Sequence, residues 1–213
     1  METDVRTLVV GTLGTNCYLL WEKKTREVVI IDPGDDAPHI TDTINTLGLI
    51  PVAVCMTHGH FDHILGVWEL MKNFAVPFYG NPKDQFLLTR MQTTAKKYVG
   101  RSIVEPVPVL TDELHNGKSI LFGTHRLTTI ETPGHTPGGV SLYDKEAALV
   151  FCGDLLFADG GVGEWRHAYG DKKALDQSIK KVLSLPSHTR IFPGHGEETR
   201  VEKECGFHVC TVR

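Results

Sequence analysis

Thr57-His58-Gly59-His60-Phe61-Asp62-His63 sets three imidazoles and one carboxylate within six consecutive residues. The run before it, residues 52–56, is apolar, as a buried strand requires. The run after it places Ile64, Val67, Trp68 and Met71 on one stripe of a helix. The cluster therefore falls on a strand-to-helix turn. His58 and His60, two apart, can point to one side of that turn. Asp62 and His63 open the helix and can face a second point nearby, and Gly59 allows the tight backbone between the first two donors. Imidazole and carboxylate suit zinc, iron or manganese without any thiolate.

Three later stretches repeat one arrangement. Pro133-Gly134-His135-Thr136-Pro137-Gly138-Gly139 follows the strand-like run 127–130. Phe151-Cys152-Gly153-Asp154 closes the run 148–152, and Phe192-Pro193-Gly194-His195-Gly196 closes the run 189–192. Each puts an imidazole or a carboxylate at the end of an apolar strand, beside glycine or proline, where a rigid element can hold a site residue in place. With the first motif they make five imidazoles and two carboxylates: His58, His60, His63, His135, His195, Asp62 and Asp154. Two metal ions with about three protein ligands each and one shared group would use all seven.

The remaining sequence frames this cluster. Runs 16–21 and 27–32, joined by Glu22-Lys-Lys-Thr-Arg26, read as a hairpin. Helices are expected at 36–47, from Ile64 onward, from Asn81-Pro82 to about Ala95, and at 171–184. Strands are expected at 51–56, 76–79, 119–122, 126–131, 139–143, 148–152 and 189–192. The composition is that of an ordered globular chain, 41% hydrophobic and 23% charged over 213 residues, with no repeat or linker, so one domain over 1–213 is expected. Two facing sheets with helices outside would cover so many strands, although periodicity alone also admits one doubly wound sheet.

Charge and composition narrow the partners. Lys and Arg total 22 against 26 Asp and Glu, net −4, and no basic stripe appears, which argues against nucleic acid. No apolar run reaches the roughly 20 residues of a membrane helix. Met1-Glu-Thr-Asp-Val lacks the features of a signal peptide, and the five cysteines show no paired spacing, so a cytoplasmic chain without a disulfide framework is expected. A small-molecule substrate is the partner left.

The motifs, with Gly14-Thr-Asn-Cys-Tyr-Leu19, Ile31-Asp-Pro-Gly34 and Gly153-Asp-Leu-Leu-Phe157, span residues 14 to 196. In this order the sequence resembles the metallo-β-lactamase-fold hydrolases, and within them the small glyoxalase II-like thioesterases, the hydroxyacylglutathione hydrolases. The resemblance implies an α/β (α+β) chain folded as a four-layer αββα sandwich. It implies His58, His60 and His135 on one metal, Asp62, His63 and His195 on a second, and Asp154 between them. Asp32 would support a ligand rather than bind. The ions would be zinc first, with iron or manganese as other occupants. The implied reaction is hydrolysis of a thioester such as S-D-lactoylglutathione by a metal-bridging hydroxide, with Asp62 and Asp154 as the catalytic carboxylates orienting it.

Two departures from the family pattern bear on substrate. The loop 158–170 differs from the usual sequence after the bridging aspartate, and Trp165, Arg166 and Tyr169 in it, beside His167, are candidate substrate contacts. Lys96, Lys97 and Arg101 are further candidates. The chain also stops at Arg213, without the helical domain that grips glutathione in the full-length enzymes, and 203–213 reads as a loose tail carrying Cys205, His208 and Cys210. Within the same resemblance, a persulfide dioxygenase would use one iron on His58, His135 and Asp154. A lactonase or other esterase, a phosphodiesterase, and a metal-binding domain without turnover are the remaining readings.

Overall fold

A computed structural model describes residues 2–208. The strands are β1 Thr3–Val10, β2 Thr15–Glu22, β3 Glu27–Ile31, β4 Ile50–Cys55, β5 Phe78–Gly80, β6 Asp112–Glu113, β7 Ser119–Phe122, β8 His125–Glu131, β9 Val140–Asp144, β10 Leu149–Gly153, β11 Arg190–Pro193 and β12 Thr199–Arg200. The helices are α1 Ala37–Thr46, α2 Val67–Phe74, α3 Gln85–Thr89, α4 Met91–Val99, α5 Lys172–Leu183 and α6 Val201–Glu204.

The strands form two sheets, one in the order β1-β2-β3-β4-β5-β6 and the other β12-β11-β10-β9-β8-β7. Tight turns give the antiparallel pairs β1–β2 and β2–β3, whereas β3–β4 is parallel and needs the crossover that α1 supplies. The second sheet repeats this logic, with β10 and β11 parallel across α5.

Strand alternation sorts the apolar side chains into three clusters. Leu20, Val29, Ile31 and Cys55 point inward and meet Phe122, Leu127, Leu142, Phe151 and Phe192 between the sheets. Their chain neighbours Leu19, Ile30 and Val54 point outward under Ile40, Ile44, Leu70 and Met91 of the helices. Val150, Cys152 and Ile191 do the same beneath Leu175, Ile179 and Val182 of α5. The result is helix, sheet, sheet, helix: the four-layer αββα sandwich, and not a single doubly wound sheet.

Four local expectations change. β1 is not expected from the sequence, because this edge strand fully buries only Leu8 and Val10 and interrupts its apolar residues with Asp4, Arg6 and Thr7. The helix expected from Ile64 begins at Val67, since residues 61–63 form a 3-10 turn whose backbone sets Asp62 and His63. The helix expected from Asn81 to Ala95 is three pieces: a turn Pro82–Asp84, then α3, then α4. Asn81 does cap the first piece, accepting from the Lys83 amide at 3.0 Å.

The tail expected to be loose from residue 203 is tied down at Glu204, within α6. The buried Glu204 carboxylate accepts from the Thr199 hydroxyl and from the amides of Asp159 and Gly160, at 3.1 and 2.8 Å. Cys205 is half-buried against the α5 cluster, and Cys210 lies outside the described residues.

Candidate metal centre

Parallel pairing brings the motif residues to one edge of the sandwich. Asp32 follows β3 and Thr57 follows its parallel neighbour β4, so the two meet: Asp32 Oδ1 accepts from the Thr57 amide and Oδ2 from its hydroxyl, both at 2.6 Å. Asp154 and His195 likewise follow the parallel pair β10 and β11. His135 leaves β8 of the same sheet. Asn16 of β2 donates to the carbonyls of Pro193 and Gly196 at 3.1 and 2.9 Å, fixing the His195 turn from the opposite sheet.

All seven predicted ligand residues converge. His58, His60, His135 and Asp154 form one group, Asp62, His63 and His195 a second, with donor atoms inside each group within 4.8 Å of one another. His60 Nδ1 lies 3.1 Å from His58 Nε2 and 3.0 Å from His135 Nε2. In the second group His195 Nε2 lies 3.4 Å and His63 Nε2 3.7 Å from Asp62 Oδ2. Asp154 faces both groups: Oδ1 is 3.6 Å from His63, and Oδ2 is 3.7 Å from both His135 and His195.

The outer nitrogen of each ring shows which atom is left to bind. The Glu164 and Gly14 carbonyls can only accept, so Nδ1 of His135 (2.6 Å) and of His195 (3.3 Å) donates. Asp32 Oδ2 takes His63 Nδ1 at 3.0 Å. The Thr57 hydroxyl has given its proton to Asp32, so it accepts from His58 Nδ1 at 3.1 Å. His60 Nε2 sits 2.8 Å from the Tyr169 hydroxyl. The inner nitrogens of His58 and His135 therefore turn lone pairs to the centre of the cluster, His60 does the same with Nε2 donating to Tyr169, and His63 joins them once its extra proton leaves. Lone pairs about 3 Å apart repel unless a cation lies between them. Buried His63 Nε2 and Asp154 Oδ1 have no hydrogen-bond partner among the described residues. Buried polar atoms are rarely left so, and a divalent ion satisfies both. The donor set fits two ions.

The electrostatics agree. Burial, then the neighbouring imidazoles, push the His58 pKa well down and that of His60 to about 3, and burial lowers His135, so these rings are neutral and fit to bind a metal. Burial opposes a charge on His63, but Asp154, Asp32 and Asp62 outweigh it and hold the ring at about 10 without metal. Binding there releases a proton. Burial also opposes the Asp62 charge, yet His63 and His195 hold its carboxyl below the usual range.

One organising residue was not read from the sequence. Asp84, fully buried in the Pro82–Asp84 turn, accepts from the Gly59 amide at 2.9 Å, the Thr136 hydroxyl at 2.7 Å and the Gly138 amide at 2.7 Å. It ties the His58–His60 turn to the His135 turn. A Cβ on Gly59 would lie 2.9 Å from the Asp84 side chain, and one on Gly138 2.6 Å, so the clamp closes only over glycine. The bonds span 25, 52 and 54 residues of chain, which no local pattern announces.

A cavity of about 570 Å³ opens over the cluster, with His60, Asp62, His135 and Asp154 in its floor and Tyr169, Phe157, Leu87 and Tyr98 among its walls. Of the predicted substrate contacts, Tyr169 and its neighbour His167 line it. Trp165 and Arg166 do not: Trp165 packs against the α5 cluster, and Arg166 stacks on Trp165 at 4.9 Å and pairs with Glu164 at 3.2 Å. The divergent loop thus also supports ligands, through the Glu164 carbonyl on His135 and Tyr169 on His60. Lys97 lines the cavity, whereas Arg101 is tied to Asp35 at 2.5 Å.

Two facing mixed sheets with a seven-residue His/Asp cluster at their edge define a class of metal-dependent hydrolase. Residues 10–195 match the family model of the metallo-beta-lactamase superfamily, and the chain belongs to that superfamily. It is 31% identical over 205 residues to the hydroxyacylglutathione hydrolase GloC of Haemophilus influenzae, covering 94% of each chain. Among solved structures, TTHA1623 in a di-iron-bound form superposes with a TM-score of 0.85 at 37% identity, covering 95% of this chain and 98% of the other. The B3 metallo-beta-lactamase BLEG-1 does so with a TM-score of 0.87 at 34% identity, over 95% and 97%. Among the described residues no helix is long and apolar enough to cross a membrane.

Proposed function

We propose that this metal-dependent hydrolase cleaves a small-molecule thioester such as S-D-lactoylglutathione, with two zinc ions as the working metals. The observation that carries the reading is the pair of ligand groups sharing Asp154 beneath an open cavity. The similarity to GloC of Haemophilus influenzae supports the substrate class. The di-iron form of TTHA1623 makes iron the rival metal. Cys17, Cys55 and Cys152 are free and buried, which supports the reducing cytoplasm as its place.

His58, His60 and His135 would hold one ion, Asp62, His63 and His195 the other, and Asp154 would touch both. Two such ions make a water nucleophilic at neutral pH and polarise a carbonyl. The chain does the rest. The Asp62 and Asp154 carboxylates accept hydrogen bonds from the attacking water and aim it. The cavity walls present the scissile carbonyl to that floor. Burial raises the Tyr169 pKa, so its hydroxyl keeps its proton, accepts from His60 Nε2, and is free to donate to the oxygen on which charge develops. A thiolate with a solution pKa near about 8.5 leaves without a dedicated acid, so none is needed here.

The test is elemental mass spectrometry on protein purified without added metal, with S-D-lactoylglutathione hydrolysis assayed on the same sample. Near two metals per chain with turnover is the expected result. One iron per chain, no hydrolysis, and oxygen uptake with glutathione persulfide would replace this reading with the dioxygenase.

A further inference from the structure

The metal ligands account for the floor of the cavity but not for its helical wall. That wall carries Arg90, Thr94 and Lys97, spaced along one face of α4 and its cap. The Arg90 guanidinium lies over the Phe86 ring at 5.6 Å; Phe86 stands 5.3 Å from Tyr169, and Tyr169 stands 6.0 Å from the His60 ring. Lys97 Nζ lies 5.2 Å from the Tyr98 ring. Three side-chain steps therefore lead from an aromatic-backed cation to the His60 ring of the cluster.

Neither cation has an acidic partner among the described residues. Other cations do: Arg101 takes Asp35, Arg166 takes Glu164, and Arg190 takes Glu198. The acidic groups that face the cavity are already committed, Asp62 and Asp154 to the metal cluster and Glu164 to Arg166. With the metal charges added below, the cavity is cationic at both ends of its span. A guanidinium held over an aromatic ring keeps its hydrogen-bond donors available to grip carboxylate or phosphate oxygens.

We propose that Arg90 and Lys97 form an anion subsite that holds a negatively charged group, carboxylate or phosphate, on the thiol half of the substrate. The proposal rests on the thioesterase reading and narrows it to anionic thioesters. The acyl group then lies over the metal floor, and the leaving thiol extends toward α4.

Thioethers, which cannot be hydrolysed, separate binding from turnover. Calorimetry on the metal-loaded protein would compare S-hexylglutathione, the S-hexyl thioether of coenzyme A, and the neutral S-hexyl thioether of N-acetylcysteamine. At least one anionic thioether is expected to bind about tenfold or more tighter than the neutral one, with affinity falling as salt rises. Preference for the first identifies a carboxylate, and preference for the second a phosphate. Arg90→Gln with Lys97→Met should abolish the preference and flatten the salt dependence; both side chains are exposed, so circular dichroism and metal content serve as fold controls. Equal affinity for neutral and anionic thioethers, or an unchanged double variant, overturns the subsite. Thioester hydrolysis without anion preference would leave the proposed function standing and remove only the subsite. Anion binding through the two cations without hydrolysis of any thioester would do the reverse.

Discussion

Asp32 and His63, 1% and 0% exposed, share a 3.0 Å hydrogen bond between Oδ2 and Nδ1. The same carboxylate binds the Thr57 amide and hydroxyl, so one residue outside the seven predicted ligands fixes the His63 ring and, through Thr57, the His58 ring. Replacing Asp32 with Ala should weaken metal affinity at the Asp62–His63–His195 group by about 10- to 100-fold. Competition against a chromophoric chelator measures this; an unchanged affinity would show that His63 needs no such support.

Asp84→Ala should be felt in stability as well as in activity. It strips the partner from two buried amides and a buried hydroxyl, each worth about 1–3 kcal/mol when left unsatisfied. A loss of about 2–5 kcal/mol in urea unfolding is expected, after part of the penalty is relieved by water entering the vacated space. A loss below about 0.5 kcal/mol would mean the two turns hold their geometry without the clamp.

Tyr169→Phe removes one hydroxyl and leaves the ring packing on Phe86. Metal content should stay at the wild-type level while kcat falls at least about tenfold, as expected for one donor to a developing oxyanion. Unchanged kcat would confine Tyr169 to orienting His60.

Glu22 gives a pH signature far from the metals. Hydrogen bonds from Thr124 and Thr25 hold its carboxyl at about 2, below the ordinary value near about 4.3. A depressed carboxylate contributes stability above its unfolded pKa and loses it as pH falls through the folded value. The contribution is thus full above about pH 5 and disappears toward pH 2. The stability gap between wild type and Glu22→Gln should be widest at pH 6 and shrink steadily below pH 4. Urea midpoints across that range test it, and a constant gap would refute the assignment.

Chelation should lower the melting temperature. Four ligands come from the first sheet's turn and three from the second sheet, so ions bound to the native chain link the layers. At a free metal concentration of 100 times Kd each site adds about 2.7 kcal/mol. A scan with and without chelator that gives one melting temperature would mean the ions are not bound to the folded state.

The convergence of the seven residues was legible because the motifs that carry them follow apolar strands and contain glycine or proline, a local pattern that parallel pairing then gathers at one edge. β1 was missed because it borders only β2 and buries two residues. The break between α3 and α4 was missed because Arg90 carries no helix-breaking signal; its backbone, at φ −97° and ψ 0°, follows tertiary packing and not intrinsic preference. Asp84 was invisible for a different reason: its partners lie far away in the chain. The sequence distinguishes Trp165 and Arg166 from Tyr169 no better, since all three lie within five residues and only the fold decides which faces the cavity.

Glu204 is bonded to the amides of Asp159 and Gly160, at the start of the loop whose later residues support His135 and His60. The far end of the described chain is thereby mechanically in series with the catalytic floor. A load applied beyond α6, such as surface attachment or the drag of a fused partner, would reach that loop together with β12, whose Thr199 the same carboxylate holds.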